Sequence, residues 1–93
     1  MDHKEDLCKD LIPMTAMVES VIREGLIARY GEAYIDLILD GWSITTYDAL
    51  KLEIHTFSDF QAEIISMRLR TDIEQIVAAI YGSCPNILIV HNK

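Results

Sequence analysis

Apolar residues recur along this chain with two different periods, and the switches between them divide it into elements. Met14, Met17, Val18, Val21, Gly25 and Ala28 share one stripe at helical spacing, widened by Ile22 and Leu26. Glu19, Ser20, Arg23 and Glu24 fall opposite. This pattern predicts an amphipathic helix that ends near Tyr30-Gly31, with the glycine as its stop. Pro13 punctuates its start, where a missing N–H costs nothing. Gly25 lowers the helix propensity relative to alanine and suits a close approach by a neighbour. A shorter helix follows from Glu32 to Leu39, with Tyr34, Leu37 and Ile38 expected on its buried face and Asp40-Gly41 closing it.

The rhythm then drops to two. Trp42-Ser43-Ile44-Thr45-Thr46-Tyr47 alternates bulky and small polar residues, and Leu50-Lys51-Leu52-Glu53-Ile54-His55 alternates strictly. Leu50, Leu52 and Ile54 are expected on a buried face and Lys51, Glu53 and His55 on the outer one. With Asp48-Ala49 as the turn, the two segments read as a hairpin.

Ser58 or Thr56 then caps a long helix. Ser58-Asp59-Phe60-Gln61 has the form of a capping box, in which the serine and glutamine side chains satisfy free N–H groups of the first turn. Phe57 is placed as the hydrophobic staple against Ala62 or its neighbours. Phe60, Ile64, Ile65, Leu69, Ile73, Ile76, Val77 and Ile80 follow at helical spacing as far as Tyr81, and Gly82 stops the helix. After Cys84-Pro85-Asn86, Ile87-Leu88-Ile89-Val90 reads as a short buried strand. The expected order is α-α-β-β-α-β in one α+β domain spanning 14–91. Residues 1–13, carrying Leu7, Leu11 and Ile12, are expected to form a short helix or a frayed arm.

Composition narrows the function. The chain has 93 residues, half of them hydrophobic (51%), which is enough for one core and too little for two. Eight Lys and Arg face fifteen Asp and Glu, a formal net charge of −7. That balance argues against a protein that tracks nucleic-acid phosphates and permits a basic protein surface as partner. Cys8 and Cys84 have no Cys or His at ligand spacing, so no metal or other cofactor is expected. The start, Met1-Asp2-His3-Lys4-Glu5-Asp6, lacks the form of a secretory signal, and no apolar run reaches 18 residues. A cytoplasmic protein without a membrane span is the expectation.

The run Leu52-Glu53-Ile54-His55-Thr56-Phe57-Ser58-Asp59-Phe60 leads into a long helix carrying Arg68-Leu69-Arg70-Thr71-Asp72-Ile73, then Tyr81-Gly82 and an apolar last strand. Over about residues 14–90 this resembles the N-terminal domain of the bacterial replication initiator family DnaA. In that family a leucine-x-leucine strand leads through Pro-Asn-x-Phe into a helix patterned Trp-x-x-x-x-Tyr-x-x-x-Ile. Here Ser58-Asp59-Phe60 stands for Asn-x-Phe, and Ile64, Leu69 and Ile73 stand for Trp, Tyr and Ile. Tyr34-x-x-Leu37 stands for the Phe-x-x-Trp of the second helix. Two departures are visible. Met17 or Val18 replaces the tryptophan that supports self-association, and Phe57 replaces the proline. The C-terminal interaction domain of the polymerase III tau subunit is similar in pattern.

The resemblance implies a KH-like fold, a three-stranded sheet packed by helices, with no catalytic site. It implies recruitment of the replicative helicase, self-association or binding of replication regulators. The family's helicase-contacting positions fall on Glu32 or Ala33 and on Phe60. Each has a plainer reading: Phe60 as a core aromatic and Glu32 as a favourable charge at a helix start. Trp42 reads either as core packing or as an exposed hot spot. His55, with no partner at defined spacing, and the pair Asp36 and Asp40 read as solvated groups rather than catalysts. The runner-up function is a KH-like module for single-stranded nucleic acid. The chain lacks the GxxG loop, and Arg68 and Arg70 fall on different helix faces, so any direct binding is expected to be weak.

Overall fold

A computed structural model describes residues 13–91, so Cys8 and nearly all of the expected arm, which comprises residues 1–13, lie outside the described residues. The elements are α1 (Met14–Tyr30), α2 (Glu32–Ile38), β1 (Ser43–Tyr47), β2 (Lys51–Thr56), α3 (Asp59–Ile64), α4 (Arg70–Tyr81) and β3 (Asn86–His91). A single π-helical turn, Ile65–Leu69, joins α3 to α4. The long helix read from the sequence is thus one continuous rod with a wider turn inside it.

The sheet order is β1-β2-β3. β1 and β2 form the expected antiparallel hairpin, with Ile44 opposite Ile54 and a bulge between Ile44 and Thr46. The α3–α4 rod then carries the chain back, so that β3 lies parallel to β2 with Leu52 beside Ile87 and Ile54 beside Ile89. This is the α+β, α-α-β-β-α-β arrangement of a three-stranded sheet packed by helices.

One face of β2 is buried and the other is not. Leu52 and Ile54 are fully buried, while Lys51, Glu53 and His55 lie on the open face. Against Leu52 and Ile54 the core gathers Val18, Ile22 and Leu26 from α1, Ile35 from α2, and Leu69, Ile73 and Val77 from the rod. α1 and α4 approach closely at Gly25, where a Cβ would come within 2.6 Å of Ile76 Cδ1. The glycine sequence signal therefore has a packing cause. Between α1 and α2 a single residue turns the chain: Gly31 at φ 94°, in the left-handed region that glycine adopts without strain.

Three expectations about burial fail. Leu50 is 83% exposed, because the hairpin turn includes it. The Asp48 carboxylate accepts from the Leu50 and Lys51 N–H groups at 2.8 and 2.9 Å, so the strand begins only at Lys51. In β3 only Ile87 is buried: Leu88, beside Glu53, falls on the open face of the sheet, and Ile89 is half-buried against the core. The Arg70 guanidinium donates to the Ile87 carbonyl at 2.7 Å, and His91 meets Asp59 at 2.7 Å, which ties the end of β3 to the start of α3. On α2 the buried face is Ile35 and Ile38. Tyr34 and Leu37 point outward, and that outward turn creates the feature described next.

Candidate functional site

Four of the most exposed large apolar side chains lie near one another. Leu37 on α2 is 78% exposed, Phe57 before α3 75%, Phe60 in its first turn 70%, and Met67 in the π turn 76%. With Tyr34, Ile38 and Ile64, the first three line a groove between α2 and the start of α3, with a volume of about 400 Å³. The groove runs on past Phe60 and Ile64 toward Met67, Glu63 and Arg68. Isolated exposed apolar residues need no explanation, but a contiguous set of large ones marks an interaction surface.

Gln61 sets the spacing of the two walls. Its side chain is buried beneath the groove and bonds to both of them. Nε2 donates to the carbonyls of Ile38 and Asp40, both at 2.7 Å, where α2 ends. Oε1 accepts from the Phe57 N–H, and the Gln61 N–H donates to Ser58 Oγ at 3.1 Å. The capping box expected from the sequence is therefore present, with the glutamine reaching Phe57 instead of Ser58. Its second task, gripping the end of α2, joins residues 21 and 23 positions apart. Sequence spacing carries no sign of that contact.

Phe57 does not act as a buried staple. Its side chain stands over Gly41, where a Cβ would lie 3.3 Å from Phe57 Cβ, and it lines the groove. The outer wall is braced from α1. The Tyr30 ring packs against Tyr34 at 5.8 Å between centroids, and its hydroxyl donates to Asp72 on α4. Arg29 donates to the same carboxylate at 2.6 Å. The Tyr30 hydroxyl, and with it Arg29, holds the Asp72 carboxyl below its ordinary range despite partial burial, and the Tyr30 phenol is raised in turn.

The expected site residues divide. Phe60 is exposed and central to the groove, so its reading as a core residue is ruled out. Glu32 and Ala33 are exposed at the start of α2 but do not line the groove, whose first α2 residue is Tyr34. Met17 is exposed on α1 and does not line the groove. Val18 and Trp42 are corrections. Val18 is fully buried and Trp42 is 9% exposed, both within the core, so neither offers a surface to a partner. Leu37, Phe57 and Met67 are groove residues that the sequence reading did not assign. Phe60, Ile64 and Met67 do carry a signal, since their spacing makes a second stripe beside that of Ile65, Leu69 and Ile73.

His55 lies near Glu53 at 3.6 Å on the open face of the sheet, and Asp36 pairs with Arg23 on α1. Among the described residues no cluster of His, Cys, Asp and Glu is placed to hold a metal, and no helix is long and apolar enough to cross a membrane. Comparison with protein-family models, with curated proteins and with solved structures found no match for this chain.

Proposed function

We propose that this chain is a protein-interaction domain of the bacterial replication-initiation machinery, acting in the cytoplasm by holding the replicative helicase in the α2–α3 groove. The observation that carries this reading is Phe60. It opens the long helix, stands 70% exposed among other large apolar side chains, and occupies the helicase-contacting position of the initiator-type pattern. An aromatic in a concave apolar setting is the usual form of a binding hot spot. The groove suits binding better than catalysis. Its lining is mostly apolar, and the amide of Gln61 and the hydroxyl of Ser58 are engaged in holding the walls. Acidic groups along it weigh against the nucleic-acid alternative, since they repel phosphate.

The test is capture of purified replicative helicase by the immobilised domain. Phe60→Ala is expected to weaken capture about 30-fold, as for a hot-spot aromatic, with thermal stability almost unchanged because the ring packs little of the core. Glu32→Lys is expected to have a smaller effect, since Glu32 lies outside the groove. Failure of the helicase to bind, or equal capture by Phe60→Ala, would remove the helicase reading.

A further inference from the structure

Resting on the reading of the α2–α3 groove as a docking site, we propose that its occupant is an amphipathic α-helix whose apolar stripe is flanked by Lys or Arg. Two independent observations select that chemistry.

The first concerns the backbone of the occupant. A peptide that leaves water must have its N–H and C=O groups paired. An extended peptide does this by adding to a sheet edge, but this groove lies between two helices and no strand lines it. The carbonyls that end α2, at Ile38 and Asp40, are already taken by Gln61. The groove therefore has little to offer a bare backbone, whereas a helix pairs its own and presents only side chains.

The second concerns charge. Asp40 lines the groove and Glu63 its continuation, with Arg68 as the only cation among the described residues that line either part. Neighbouring acids are engaged elsewhere, Asp36 by Arg23 and Asp59 by His91. The whole chain carries a formal charge of −7, so the field around the groove favours a cationic approach. Apolar side chains thus fill the floor, and basic side chains meet Asp40 and Glu63 at the rim. That division of labour gives the floor affinity and the rim selectivity.

The experiment is a fluorescence-anisotropy titration of the intact chain with three labelled synthetic peptides of roughly 18 residues, about five helical turns. One has a leucine stripe at helical spacing flanked by lysines. The second has the same stripe flanked by glutamates. The third has the composition of the first in scrambled order. The lysine-flanked peptide is expected to bind at least about tenfold more tightly than either of the others, with affinity falling as salt rises. Asp40→Lys combined with Glu63→Lys should weaken it about tenfold and favour the glutamate-flanked peptide. Phe60→Ala should weaken both striped peptides. Equal binding of the two striped peptides, lost in Phe60→Ala, would overturn the charge assignment and leave the groove as a docking site. Scrambled peptide binding as well as striped, or striped binding indifferent to Phe60→Ala, would overturn docking in this groove altogether. No binding of any peptide at millimolar concentration would overturn the helical occupant.

Discussion

Gln61 is the residue on which the groove depends most, because its amide is engaged in holding the two walls together. Its side chain satisfies two carbonyls at the end of α2 and one N–H before α3. Truncation would leave the buried Ile38 carbonyl without a partner and loosen the half-buried Asp40 carbonyl and Phe57 N–H. Gln61→Ala is therefore expected to cost about 2–4 kcal/mol, read as a lower midpoint in urea denaturation. Gln61→Glu keeps the acceptor toward Phe57 and loses the donor toward Ile38 and Asp40, so it should fall near the alanine variant instead of rescuing it. The contrast with Phe60 is instructive, because two residues side by side in one helical turn divide the work. One holds the walls and is buried; the other faces the groove and is exposed.

At the level of elements, α1 is joined to α4 by polar contacts as well as by packing. Tyr30 and Arg29, in the last turn of α1, both donate to Asp72 in the first turn of α4. The folded pKa of Asp72 lies below its unfolded value of about 3.9. The stabilisation from this cluster is therefore fully present above that pH and lost as pH falls through the folded value. Thermal melts of the native chain and of Asp72→Asn should differ at pH 6 and converge as the pH drops below about 4. The elements themselves were largely legible in the sequence. A stripe sustained through Val18, Ile22 and Leu26 has no reading other than a helix with one buried face, and the alternation from Lys51 to His55 has none other than a half-covered strand. Tyr34 and Leu37 were misread because seven residues are too few for a period to separate a core face from an exposed one. The groove was only partly legible, through Phe60, because its walls come from segments about 20 residues apart and meet through a long-range contact of Gln61. Leu50 failed for a local reason, as the Asp48 carboxylate captured its N–H for the turn.

For the molecule as a whole, charge acts on folding and on binding in opposite senses. A formal charge of −7 on 93 residues makes the compact state repel itself. Added salt screens that repulsion, so the Tm of the free chain is expected to rise by a few degrees between low and physiological ionic strength, as a calorimetric scan would read it. The π turn at Ile65–Leu69 has a consequence at this scale too. An α-helix advances about 100° per residue, and a π turn holds the equivalent of one residue more than an α turn. The turn thus works as a phase shifter within one rod, letting the Phe60 end and the Ile73 end keep different angular settings. Straightening that turn into an α turn with no residue removed would hold every core position of α4 in its place and swing Phe60 by about 100° out of the groove, whereas deleting one residue along with the bulge would leave Phe60 where it is. The hydrogen-bond pattern of that one turn, and not only side-chain identity, then decides whether a well-folded copy of this domain has a docking groove at all.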